Sequence, residues 1–178
     1  MFARLSSLFA PRPDPRVAML PLYDAIVTAA RAPHWYRAGG VPDTIDGRFE
    51  MVAALLSLTI ERLDSFPERK SEMALLTETF VEDMDGQLRQ SGIGDVVVGK
   101  HIGRMMGALG GRFSAYRAAF DADGDLGATM IRNLYRGEAP NPDALAHSSA
   151  ALTAFRDMLA QRDADALLAG DIEGPEAA

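Results

Sequence analysis

The chain has no cysteine among its 178 residues. That excludes disulfide staples, thiol nucleophiles and cysteine-ligated metal, and it fits a reducing cytoplasm. Histidine is scarce as well: His34, His101 and His147 are scattered, and none has a second ligand at zinc-site spacing. No apolar run approaches the ~20 residues of a membrane-spanning helix, and the first residues lack the apolar stretch of a secretory signal. Positive charge is in deficit, with 18 Lys and Arg against 25 Asp and Glu. An isoelectric point near 4.9 argues against general nucleic-acid binding, DNA included. Neither a phosphate-cradling glycine loop after a strand nor a Gly-x-Ser-x-Gly elbow occurs. The residues build no catalytic constellation, so no enzyme, metal site or cofactor is expected.

What remains is helical periodicity, with no segment showing strand alternation. The pattern predicts an all-α protein, one compact domain of about six helices. Leu20 to Ala32 carries Leu20, Tyr23, Val27 and Ala30 on one face, and the His34-Trp35-Tyr36 cluster that follows reads as a core anchor. After the Gly39-Gly40-Val41-Pro42 turn, Asp43 or Thr44 can cap a helix running to about Leu63. That helix has Phe49, Val52, Leu56, Ile60 and Leu63 on one side and Met51, Leu55 and Leu58 on the other, so it should be central.

Met73, Leu76, Phe80, Met84 and Leu88 predict the next helix, which should end near Ser91 with Gly92 as its stop. Glu78, Glu82, Asp83 and Asp85 on it form an acidic face, expected to be solvated or paired with the helix beyond. Asp95 would cap that following helix, expected over about Asp95 to Phe120, with Ile102, Leu109, Phe113, Tyr116 and Phe120 inward and Met105 and Met106 at the flanks. Gly99, Gly103, Gly107 and Gly111 recur every fourth residue along it, and Lys100, His101, Arg104 and Arg112 are read as gathering opposite the core. Residues 95–117 carry four basic and one acidic residue inside an otherwise acidic chain. Each interior glycine costs up to about 1 kcal/mol relative to alanine, so the repeat implies close approach of another helix, from this domain or from a partner.

Asp121-Ala-Asp123-Gly124-Asp125 starts like a calcium loop, but Leu126 stands at its sixth position and Arg132 at its twelfth. A turn and a helix cap account for these residues instead. A helix from Leu126 to Tyr135 should end at Gly137, and after Pro142 a last helix presents Leu145, Leu152, Phe155 and Leu159. Residues 1–15 are expected as a flexible segment, 16–165 as the domain and 166–178 as an acidic tail.

Several ordered pieces carry a resemblance: Val41-Pro-Asp-Thr-Ile-Asp-Gly-Arg-Phe-Glu-Met51, Phe80-Val-Glu-Asp-Met-Asp85, Leu88-Arg-Gln-Ser-Gly-Ile-Gly-Asp95, Val98-Gly-Lys100 and Arg132-Asn-Leu-Tyr135. Together they resemble the ubiquinol-cytochrome c chaperone family, over about residues 20 to 160. Leu55 departs from the histidine expected after the Gly-Arg-Phe-Glu-Met run, and Gly110 from the aromatic that often precedes Gly-Arg. The resemblance implies an all-α domain and, from mitochondrial members, a non-enzymatic role in assembling respiratory complex III. Those members bind newly made cytochrome b near the ribosome on the inner membrane. The expectation for this chain is a cytoplasmic bacterial member, in peripheral contact with the inner membrane. Its client would be a membrane protein, cytochrome b, with a further hetero-partner in view. Its binding surface would comprise Lys100, His101, Arg104, Arg112, Gly99, Gly103, Gly107 and Gly111, with Arg48, Asp83 and Asp85 nearby. A helical module for haem or another small molecule, built on the two-sided 49–63 helix and the methionines, is the competing expectation.

Overall fold

A computed structural model describes residues 14–90 and 95–172, of which 88–90 and 95–106 by backbone only. The described residues contain helices and no strand. In chain order these are α1 (Leu20–Ala30), α2 (Pro33–Arg37), α3 (Ile45–Asp64), α4 (Lys70–Gln90), α5 (Asp95–Ala119), α6 (Leu126–Asn133), α7 (Pro142–Ala160) and α8 (Ala164–Leu168), with 3-10 turns at Pro15–Met19 and Pro67–Arg69. Six of the eight helices have eight or more residues, as periodicity predicted. The corner with Gly92 and Gly94, the first 13 residues and the last six lie outside the described residues.

Several of the helix starts have a side-chain cap. Thr44 Oγ1 accepts from the Gly47 N–H at 3.1 Å, Asp125 caps α6 through Ala128 N–H, and Asn141 caps α7 through Ala144 N–H. Asp125 therefore serves as the cap expected in place of a calcium loop. Past α6, Gly137 takes a φ of +91° and donates back to Ile131 O, closing the helix end.

α3 is the central helix: every residue from Glu50 to Ile60 is buried. Its most extensive contact is with α5, followed by α1, α7 and α4. Both apolar sides are thus covered by protein, which accounts for the two-sided pattern without a ligand. Trp35 is 1% exposed, and its indole donates to Ala29 O at 2.9 Å, anchoring α2 to the end of α1. Leu152, Phe155 and Leu159 close the α7 side. Full burial of such side chains contributes about 1.5–3 kcal/mol each. Leu167 of α8 and Ile172 are also buried, so the packed core continues past the boundary expected at 165.

Candidate functional site

The residues quoted for the family resemblance fall on a few joints of this frame. Gly47 sits where α3 starts beneath the Val41-Pro42 turn, and a Cβ there would come within 1.9 Å of Pro42 O. Tyr135, at the end of the Arg132 to Tyr135 piece, donates to Gly39 O at 2.6 Å and lies 2.9 Å from Ser148 Oγ, tying α7 to the same turn. Asp46 of the first piece pairs with Arg136. Phe49 and Phe80 meet with ring centroids 5.7 Å apart.

Glu50 is the buried acid of α3, 6% exposed, and Arg112 of α5 reaches it with two hydrogen bonds of 2.6 and 2.5 Å. The same guanidinium stands 5.5 Å from the Phe49 ring centroid. Burial pushes the Glu50 carboxyl above its ordinary range although Arg112 opposes the shift. Tyr116, one turn farther along α5, has its hydroxyl buried with no hydrogen-bond partner, and burial and the Glu50 charge both raise its pKa. Arg112 therefore does not lie on the side opposite the core, as read from the sequence; it is an internal clamp between α3 and α5.

The glycines of α5 behave differently. Gly107, Gly110 and Gly111 are exposed, and a Cβ at any of them would meet no described atom within 4 Å. No described helix of this domain lies over them. Gly99, Lys100, His101, Gly103 and Arg104 belong to the same helix, but their side chains lie outside the described residues, as do those of Ile102, Met105 and Met106. Leu109 and Tyr116 are buried as expected, and Phe113 and Phe120 pack partly against the core.

Arg48 and Asp83 come together. They line one cleft of ≈ 110 Å³ between the end of α1, the start of α3 and α4, floored by Val27, Phe49, Val52 and Met84. Arg31 joins Arg48 at its rim, beside Ile45, which is 70% exposed. Asp83 accepts hydrogen bonds from the Tyr23 hydroxyl at 2.7 Å and from Gln87 Nε2 at 2.9 Å. Arg48 is held by Asp43 at 2.7 Å. Of the other acids on α4, Glu82 pairs with Arg16 at 2.8 Å and Asp85 is half-buried. Arg31 and Ile45 were not anticipated: an exposed isoleucine just after a cap is the only trace they leave in the sequence.

Two of the histidines scattered along the sequence are paired in the fold. His34 Nδ1 and His147 Nε2 stand 3.1 Å apart, joining α2 to α7 across 113 residues. Burial, and secondarily His147, lower the His34 pKa. Two imidazoles fall short of the three or four protein ligands of a zinc centre, and the described residues hold no group of three or more candidate ligands. No helix among them is long and apolar enough to cross a membrane.

Comparison with known proteins fits this frame. A crystal structure, that of the Cbp3 homolog from Brucella abortus, superposes with a TM-score of 0.77 at 34% identity, the match covering 90% of each chain. Comparison with curated protein sequences gave no match. The sequence profile of the ubiquinol-cytochrome C chaperone family matches residues 37–174, which take in the α3 start, the Glu50–Arg112 clamp and the Tyr135 joint. The chain belongs to the ubiquinol-cytochrome C chaperone family.

Proposed function

We propose that this protein is a non-enzymatic chaperone for assembly of respiratory complex III, that its client is cytochrome b, and that the outward face of α5 is the client surface. Family membership supports the assembly role. The observation that carries the client surface is the open glycine row. Gly107, Gly110 and Gly111 interrupt a 25-residue helix at up to about 1 kcal/mol each, and no described part of the domain packs into the space they leave. A client helix laid there would approach the α5 backbone closely, as small-residue faces allow in membrane proteins. Lys100, His101 and Arg104 on the same helix would steer that encounter, and the Arg31–Arg48–Asp83 cleft would receive a further part of the client. A chaperone with a membrane-protein client would act in the cytoplasm at the inner-membrane surface, near the translating ribosome.

Photocrosslinking tests this. A p-benzoylphenylalanine introduced at Gly107 should yield an adduct with cytochrome b in cells making complex III, whereas the same group at exposed Asp157 on α7 should not. A folded protein that supports assembly yet gives no adduct from position 107 would remove the α5 face from the account.

A further inference from the structure

A second cleft lies away from the Arg48–Asp83 site. It measures ≈ 350 Å³, and α3, the first turn of α4 and the C-terminal half of α5 enclose it. Its apolar wall is Ile60, Met73 and Phe113, of which Met73 and Phe113 are only partly buried. Its polar wall is acidic: Glu61, Asp64 and Asp121 face a single lining cation, Arg117, which Asp64 binds at 2.5 Å. From the α7 side Arg156 holds one oxygen of Glu61 at 2.9 Å, while the other, Glu61 Oε2, is buried without a partner. Three carboxylates against two guanidiniums leave a negative surplus beside an uncovered apolar wall. Ser114 and Ala118 at the mouth are small and at least partly exposed, so a backbone can come close to α5 there.

We infer that this cleft is a docking site for a cationic, apolar-flanked segment of a partner protein. Its apolar side chains would cover Ile60, Met73 and Phe113, and its lysine or arginine would answer Asp64, Asp121 and Glu61. Charge decides between possible occupants: an acidic or purely apolar segment would desolvate three carboxylates that Arg117 and Arg156 answer only in part, whereas a cationic one reduces that cost. The inference does not depend on the identity of the client or on the α5 glycine face.

The test uses the full-length protein and a fluorescein-labelled peptide of leucines and lysines at helical spacing, with an otherwise identical peptide carrying glutamate for lysine. Fluorescence anisotropy should show saturable binding of the lysine peptide alone, weakening as salt rises. Asp64→Asn with Asp121→Asn should weaken it about tenfold or more, and Ser114→Arg, which places bulk and a like charge at the mouth, should abolish it. Glu138→Gln with Asp157→Asn removes the same charge from exposed positions elsewhere and should leave binding unchanged. Equal binding of the two peptides, or equal loss in the two double variants, would mean general attraction to an acidic protein and would overturn the inference. Because Asp64 and Asp121 are exposed and their substitutions add no bulk, circular dichroism should match wild type, so a loss would belong to the cleft.

Discussion

Arg112 and Glu50 grip one another with two short hydrogen bonds, 2.6 and 2.5 Å, across the interface of the central helix α3 with α5. Both side chains are largely out of water, at 15% and 7% exposure. A buried ion pair of this kind contributes little over an apolar replacement, but either charge left alone is costly. Arg112→Met alone should therefore lose about 3–5 kcal/mol in urea denaturation. Glu50→Leu combined with Arg112→Met should return to within about 1–2 kcal/mol of wild type. A single variant as stable as the double would show that the clamp is not desolvated.

The glycines divide into two kinds. At Gly47 an added Cβ meets Pro42 O at 1.9 Å, so Gly47→Ala should destabilise by about 1–3 kcal/mol through displacement of the turn. At Gly107 and Gly111 the space is open, so alanine should add roughly 0.5–1 kcal/mol at each through helix propensity. Thermal melts of the three single variants distinguish the two kinds, and a drop in client capture by the more stable Gly107→Ala/Gly111→Ala protein would locate the function of the glycines outside the fold.

The paired imidazoles set an acid limit. His34 titrates below the ordinary 6.5 because burial and the facing His147 disfavour its charged form. A base whose folded pKa is depressed keeps its stabilising contribution above the unfolded value and loses it as pH falls through the folded one. Melting temperature should accordingly decline from about pH 6.5 downward, before the carboxylates protonate near pH 4. His34→Gln with His147→Gln should flatten that decline. An unchanged profile would remove the pair from the pH response.

Arg31 and Arg48 stand at the rim of a small apolar cleft, and Arg48 has only an exposed ion pair to lose. Replacing both by alanine should change stability by less than about 1 kcal/mol. Co-purification of client should nevertheless fall. Unaltered client recovery would confine the binding surface to α5.

Much of this was legible in the sequence because it is local. Periodicity located the long helices, the cap of α3 was narrowed to Asp43 or Thr44 and proves to be Thr44, a cap was read ahead of Leu126 where Asp125 supplies it, and apolar residues on two sides of 49–63 marked α3 as central. The misplacement of Arg112 came from treating charge as a sign of the outer face. At 100° per residue it stands only about 60° from Leu109, on the flank already granted to Met105, and Glu50 was an acid on an otherwise apolar helix awaiting a partner. By the same geometry Gly107 and Gly111 point away from Leu109, as observed. The His34–His147 contact and the Arg48–Asp83 cleft join elements far apart in the chain, and no spacing rule reaches that distance. α8 was missed because five residues give too short a pattern for a period.

The assembly role itself is tested most directly in membranes from a strain lacking this gene, by the b-type haem difference spectrum together with the amount of complex III subunits. The account predicts that both fall and that the intact gene restores both. Normal b-type haem and normal complex III in that strain would contradict it.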